Sequence, residues 1–246
     1  MSVSVLLARL LLALSSVGAS PVVYRTTRGG QSGVSFGEAV LQGLGTDRGL
    51  FVPERIPTFD AATLESWRGK AFESVAFEVL SLWIDESEIP PDTLKSIVDR
   101  AYATFRAPEV TPVRPLPDGL HILELFHGPT FAFKDVALQF LGNLFEYLLA
   151  QRDDGKTITV VGATSGDTGS SAIHGLRGKD SIDVFILYPD GRTSPVQERQ
   201  MVTVMDQNVH TAAIEGTFDD CQVFFSNPFS PYVTPHFSYV SPAFFC

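Results

Sequence analysis

Cysteine and basic residues are scarce in this sequence of 246 residues. The two cysteines, Cys221 and Cys246, are too few for a disulfide framework or for a zinc site built on thiolates. Lys and Arg total 18 against 28 Asp and Glu, which gives a formal net charge of -10. A surface of that charge repels a nucleic acid backbone and an acidic membrane face. The sequence therefore excludes a small disulfide scaffold and predicts no nucleic acid as a partner.

The sequence also lacks a long uninterrupted apolar run. Its most apolar stretch, residues 1–20, carries the single charge of Arg9 but is too short for a comfortable membrane span. Two interpretations of this stretch stay open: a signal peptide with a short apolar core, or a spurious extension of the chain. We expect no membrane partner from either.

Residues 223–246 contain no charged side chain. Four prolines within this segment forbid a long helix or a central strand. We interpret the segment as a tail outside the fold, with a sticky peptide ligand as the alternative.

Helical periodicity dominates residues 22–105. Ser35 opens a capping-box pattern before an apolar stripe, and apolar spacing predicts two further helices, from Phe72 and from Pro91. These features predict a small helical domain. The proline-rich run 111–117 then reads as a stiff connector.

Strands and helices alternate after the connector, which predicts an α/β fold with a parallel sheet and helices on both faces. The predicted strands are 121–125, 157–161, 184–187 and 209–214. Ligands of such sheets bind at the carboxyl ends of the strands. We therefore expect the loops 126–133 and 162–169 to lie together at that edge.

Lys134 is a cation among apolar neighbours at a predicted helix start. An apolar pocket and the positive end of a helix both favour a neutral amine, the form that condenses with a carbonyl. The alternative is a lysine that extends its amine past Phe131 and Phe133 into water. From this feature alone, the surface interpretation is favoured.

The loop 162–169 has the sequence GATSGDTG and follows an apolar strand. Its glycines allow backbone amides to face a ligand, and the following helix start favours a phosphate or a carboxylate. The loop lacks the Gly-Lys-Ser/Thr of a phosphate-binding P-loop. Asp190, at the end of the next predicted strand, keeps a nicotinamide-binding interpretation open.

Several of these runs, taken in order, resemble the threonine synthase family. Lys134 lies in ELFHGPTFAFKD, and GATSGDTG follows it. The resemblance continues in YRTTRGG, VSFGEAV and GLFVPE near the amino terminus, and in GRTSPVQE and EGTFDDCQ further on. It extends from about residue 23 to residue 222.

The resemblance implies the tryptophan-synthase-β-like fold (PLP fold type II) and a lyase that uses pyridoxal 5′-phosphate (PLP). Such an enzyme converts O-phosphohomoserine and water to threonine and phosphate. Lys134 matches the lysine that holds the cofactor, and Asp167 matches a polar position near its ring. Five residues match the loop that binds the substrate carboxylate: Thr164, Ser165, Gly166, Thr168 and Gly169. Arg192 and Ser194 are candidates for contacting the leaving phosphate.

The composition of the two ends, together with the resemblance of the residues between them, divides the chain into four parts. Residues 1–20 are a leader or an extension, 21–110 a threonine-synthase-like amino-terminal domain, 111–222 a partial catalytic domain, and 223–246 a tail outside the family pattern. No second glycine-rich loop, which the family uses for the cofactor phosphate, follows residue 222. We therefore expect the chain alone to be inactive, to bind PLP weakly and to aggregate through an unpaired sheet edge.

Two alternative functions stay open at this point. The first is a secreted, non-catalytic interaction product of the same part of the chain, which a working signal peptide would support. The second is a nicotinamide-dependent oxidoreductase. The resemblance itself favours a cytoplasmic enzyme with a small-molecule substrate.

Overall fold

A computed structural model of the chain describes residues 21–152 and 155–226. The leader and residues 227–246 of the tail lie outside the described residues. The helices are α1 (Phe36–Gln42), α2 (Ala61–Ser66), α3 (Phe72–Leu80), α4 (Pro91–Tyr102), α5 (Asp135–Ala150), α6 (Asp167–Leu176), α7 (Pro195–Val202) and α8 (Phe218–Ser226). The strands are β1 (Tyr24–Thr26), β2 (Phe51–Pro53), β3 (Val113–Pro115), β4 (His121–Leu123), β5 (Ile158–Ala163), β6 (Ile182–Pro189) and β7 (Val209–Ile214).

Helix α1 begins with the predicted capping box. The Ser35 hydroxyl accepts from the Glu38 amide at 3.3 Å, and the Glu38 carboxylate accepts from the Ser35 amide at 3.2 Å. A second carboxylate, that of Glu88, accepts from the amides of Phe36 and Gly37 at 3.0 and 2.8 Å. Because the first amides of a helix have no partners within it, these contacts stabilise the start of α1.

The sequence predicted a helical amino-terminal region, but the structure also contains strands there. Strands β1 and β2 form an antiparallel pair, and the short helix α2 was not predicted. Each of these strands has three residues, which is too short to produce a readable alternation of apolar and polar positions. The predicted helices from Phe72 and Pro91 are confirmed, and Ile97 and Val98 of α4 are completely buried against α5.

The Asp47 carboxylate holds the loop after β1 in place. It accepts from the Thr26 hydroxyl at 2.6 Å, the Gly30 amide at 2.7 Å and the Gly49 amide at 2.8 Å. The hydrogen bond from Thr26, followed by that from Gly49, holds the pKa of Asp47 below its ordinary value of 3.8.

A lowered carboxyl pKa makes part of the folding stability depend on pH. The Asp47 contribution is complete above the ordinary pKa and is lost as pH falls through the lowered one. In Asp47→Asn, we expect lower stability at neutral pH and a smaller further loss between pH 5 and 2, measured by urea unfolding across that range. Identical acid dependence in both proteins would contradict this role.

Strand β4 does not join the parallel sheet, so that part of the sequence prediction is wrong. It pairs antiparallel with β3, which lies inside the predicted connector, with Arg114 opposite Ile122. A tight turn at Pro117–Gly119, in which Asp118 has a φ of 60°, brings the two strands together. Prolines on both sides of β3 argue against a strand when only the sequence is considered. The neighbouring strand β4 can nevertheless pair with it.

Strands β5, β6 and β7 form the parallel sheet in that order, which confirms the other three predicted strands. Alternate side chains of β6 point to opposite faces. Val184 and Ile186 pack into a core with α5, α6 and α7, whereas Leu187 packs against Cys221 of α8. Helices therefore cover both faces of this sheet, as predicted.

Helices α5 and α6 approach closely where each has a glycine. A Cβ on Gly142 would lie 1.8 Å from the Gly175 carbonyl oxygen, and a Cβ on Gly175 would lie 2.4 Å from the Leu138 oxygen. Both obstacles are backbone atoms, which cannot rotate away. The glycines therefore permit a helix spacing that any side chain would widen.

We expect Gly142→Ala to destabilise the fold by about 2 kcal/mol or more, because the added methyl forces the two helices apart. Alanine is otherwise the better helix former by about 1 kcal/mol, so intrinsic propensity works in the opposite direction. The free energy of unfolding in urea measures the balance. A neutral or stabilising effect would show that the helices separate without cost.

Candidate active site

Lys134 is at the amino end of α5, immediately before the first residue of the helix. Its amine lies 3.6 Å from a carboxylate oxygen of Asp167, the first residue of α6. The lysine side chain is 21% exposed. The structure thus brings together the two loops that the sequence analysis singled out, and places the amine between two helix starts.

The surroundings of Lys134 are less apolar than expected. Phe131 and Phe133 are 58% and 57% exposed, so they form no closed apolar pocket. The amine lies 4.4 Å from the centre of the Phe133 ring, within the range of a cation–π contact. Lys134 is therefore neither enclosed by apolar side chains nor extended into water; it is shielded by one ring and one carboxylate.

The loop 162–169 divides into a buried support and an accessible rim. Thr164 is 2% exposed, and its hydroxyl oxygen accepts from the amides of Gly166 at 3.0 Å and Gly169 at 2.9 Å. Ser165 and Thr168 are more accessible, and no hydrogen bond engages either hydroxyl within the described residues. Thr164 shapes the loop, whereas Ser165 and Thr168 offer free donors.

Gly166 is required by geometry at the bend of this loop. It has a φ of 139°, which side-chain-bearing residues rarely adopt, and a Cβ there would lie 2.6 Å from the Gln197 side-chain oxygen. The glycine lets the α6 start approach α7 closely. Helix α6 begins at Asp167, directly after this bend.

A buried polar cluster beneath Lys134 was not found from the sequence. The Asp135 carboxylate is fully buried and accepts from the Thr130 amide at 2.8 Å and the Thr130 hydroxyl at 2.7 Å. The Thr130 hydroxyl also lies 3.0 Å from the Ser171 hydroxyl of α6. This cluster ties the lysine loop to α6. The available sequence signal for this cluster was Asp135, an acidic residue that directly follows Lys134 in an apolar run.

His174 lies one turn beyond Ser171 on α6. Burial, followed by the charge of Arg177, lowers the pKa of His174. The shift favours the neutral form of this ring near the Asp135 cluster.

Arg106 holds the lysine loop from the α4 side and was also missed. Its amide donates to the His127 carbonyl at 2.9 Å, and its guanidinium donates to the carbonyls of Gly128 and Pro129. The guanidinium carbon lies 4.2 Å from the centre of the Phe131 ring. The backbone of Phe131 has a left-handed φ of 63°. These contacts fix a strained loop directly before Lys134.

The candidates for phosphate contact have other roles in this structure. Ser194 caps α7, where its hydroxyl accepts from the Gln197 amide at 3.3 Å. Arg192 is exposed, and its charge lowers the pKa of Asp220 after the larger effects of hydrogen bonds from Thr217. Asp190, on which the nicotinamide-binding interpretation depended, is exposed at the carboxyl end of β6.

Comparison with known proteins finds threonine synthases. Residues 23–102 match the family model described as threonine synthase N terminus. The threonine synthase of Schizosaccharomyces pombe is 59% identical over 209 residues, which cover 82% of this chain and 41% of the relative. This chain is similar to the amino-terminal part of threonine synthases. The Saccharomyces cerevisiae threonine synthase is 56% identical over 212 residues, covering 81% and 41%.

Solved threonine synthase structures share the fold. The yeast enzyme has a TM-score of 0.78 at 56% identity, over 83% of this chain and 43% of that one. A threonine synthase from Brucella melitensis, described as bound to PLP, has a TM-score of 0.78 at 46% identity, over 83% and 44%. These neighbours confirm the predicted fold class, an amino-terminal domain and part of a PLP fold type II domain.

The chain spans about 41% of the length of the curated threonine synthases that it matches. The secreted interaction product and the nicotinamide-dependent oxidoreductase gain no support from these relatives. Within residues 21–152 and 155–226, no helix is both long and apolar enough to cross a membrane. No group of three His, Cys, Asp or Glu side chains is placed to hold a metal ion in that same part of the chain.

Proposed function

We propose that this chain supplies the lysine side of a threonine synthase active site. In that site Lys134 binds PLP, and the loop Ala163–Gly169 binds the carboxylate of O-phosphohomoserine. The observation that carries the proposal is the 3.6 Å approach of the Lys134 amine to Asp167, at the start of the helix that follows this loop. The similarity to threonine synthases, one of them described as bound to PLP, supports it.

The residues present fit the cofactor. A single lysine, 21% exposed, is accessible to an aldehyde yet partly shielded from competing water. The adjacent Asp167 carboxylate can hold the amine in one orientation and would be a polar group near the ring of the bound cofactor. When bound, PLP acts as an electron sink for bonds broken at the substrate's α and β carbons.

The reaction balances without a redox partner. The bond between the γ carbon and the phosphate oxygen of O-phosphohomoserine breaks and releases inorganic phosphate. The hydroxyl of water adds at the β carbon, which gives up one proton, while the γ carbon gains one proton and the remaining proton of water leaves with the phosphate. Lys134 Nζ would take and return protons at the substrate carbons, because it lies 3.6 Å from Asp167 in the loop proposed to hold the carboxylate.

Substrate binding falls to the rim of the loop 162–169. The hydroxyls of Ser165 and Thr168 and the first amides of α6 can donate to a carboxylate, which the positive end of the helix also favours. Thr164 acts indirectly, since its hydroxyl oxygen already accepts two backbone amides. Fixing the carboxylate orients the bonds at the reacting carbons.

The experiment that tests the proposal uses the other four lysines of this chain as internal references. The chain is incubated with PLP, reduced with borohydride, and mapped by peptide mass spectrometry. We expect the label at Lys134 at concentrations that leave the more exposed Lys95 unmodified. Labelling in proportion to exposure, or none at Lys134, would overturn the proposal.

The same preparation tests the expected inactivity of the 246-residue chain alone. The described residues provide one glycine loop beside Lys134, and no second one for the cofactor phosphate. We therefore expect labelling at Lys134 that needs high PLP concentrations, without phosphate release from O-phosphohomoserine. Measured phosphate release would contradict this part and leave the assignment of Lys134 intact.

A further inference from the structure

Helix α7 lies against both loops of the proposed site. Two of its side chains, Gln197 and Gln200, are three residues apart and therefore share one face of the helix. Gln197 Nε2 donates to the Asp167 carboxylate, and Gln200 Nε2 donates to the Thr130 carbonyl at 3.0 Å. One helix thus contacts the carboxylate loop and the lysine loop separately.

The Gln197 amide has a defined orientation. Its oxygen accepts from the Ser194 hydroxyl at 2.9 Å, so its nitrogen must face Asp167. The other Asp167 oxygen lies 3.6 Å from the Lys134 amine. A continuous series of polar contacts therefore runs from the start of α7, through Gln197 and Asp167, to Lys134.

Gln200 is connected to the lysine loop through Thr130. Its partner, the Thr130 carbonyl, belongs to the residue whose amide and hydroxyl both donate to the buried Asp135. Asp135 is the residue directly after Lys134. Movement of α7 would therefore displace both the carboxylate facing the amine and the loop preceding it.

We propose that Gln197 and Gln200 are positioning residues that couple the lysine loop to the carboxylate loop through α7. The proposal rests on the proposed function, because its effect is read at Lys134. Gln197 orients Asp167 toward the amine, and Gln200 fixes the Thr130 end of the lysine loop. Neither side chain needs to touch substrate or cofactor to have this effect.

The test measures the rate at which PLP and borohydride label Lys134. Methionine keeps the length of glutamine and removes the amide, so the variants are Gln197→Met and Gln200→Met. We expect each to slow labelling by roughly ten- to a hundredfold, the effect of misplacing a reacting group by about 1 Å. Val196→Ala, on the same helix at a position 65% exposed, is the matched control and should leave the rate unchanged.

A double-mutant cycle separates positioning from a general loss of structure. In an Asp167→Ala background, Gln197→Met should have no further effect on labelling, whereas Gln200→Met should still slow it. Additive effects of Gln197→Met and Asp167→Ala would overturn the coupling through Asp167. Unchanged rates in both methionine variants would overturn the whole proposal. Absence of Lys134 labelling in the unmodified chain would instead refute the proposed function.

Discussion

Lys134→Ala is expected to abolish covalent capture of PLP at this site. Capture requires a primary amine, and the other four lysines of the chain lie outside the two loops. We expect the borohydride-trapped label on the variant to fall to the level of an exposed reference lysine. The measurement is quantitative peptide mass spectrometry on the variant and the unmodified chain, side by side.

Lys134→Arg is the matched control for charge. A guanidinium can keep the contact with Asp167 and the stacking on the Phe133 ring, but it cannot form the covalent bond. We expect it to preserve thermal stability better than Lys134→Ala while capturing no cofactor. If either variant captured as much PLP as the unmodified chain, the reactive amine would belong to another residue.

Asp135→Ala is expected to destabilise the fold by about 3 kcal/mol. Asp135 is fully buried, and its removal leaves the Thr130 amide and hydroxyl without their acceptor inside the protein. The free energy of unfolding in urea measures the loss. Asp180→Ala, at an exposed turn, is the control and should change stability by less than about 0.5 kcal/mol.

Asp135→Asn separates the charge of this residue from its hydrogen bonds. An asparagine oxygen can still accept from the Thr130 amide, and its NH2 group can donate to the Thr130 hydroxyl, which can turn toward Ser171. We expect a smaller loss than in Asp135→Ala. If asparagine costs as much as alanine, the negative charge rather than the hydrogen-bond geometry is what the cluster requires.

Local signals made much of the fold predictable from the sequence. The capping box at Ser35, the proline that begins α4 and the apolar run of β5 each depend on a few neighbouring residues. Pairing between short strands depends on partners elsewhere in the chain, and so β1, β2 and the β3–β4 pair were missed or misplaced.

The approach of the two loops was predicted for a partly wrong reason. The expectation was that strands before both loops share one parallel sheet, but β4 belongs to a separate antiparallel pair. The loops meet because α5 and α6 pack closely with their amino ends together. Contacts of Arg106 and Gln200 with backbone carbonyls could not be predicted, because such contacts leave no pattern in the sequence.

The glycine contact between α5 and α6 has a consequence for the reacting amine. Gly142 follows Lys134 by eight residues, and Gly175 follows Asp167 by the same number. At 1.5 Å per residue, each glycine is about 12 Å along its helix from the proposed chemistry. The point where the two helices cross is thus equally far from both amino ends. A single methyl group added there would tilt one helix against the other and change the distance between the Lys134 amine and the Asp167 carboxylate. Cofactor capture would therefore respond to a change two helical turns away.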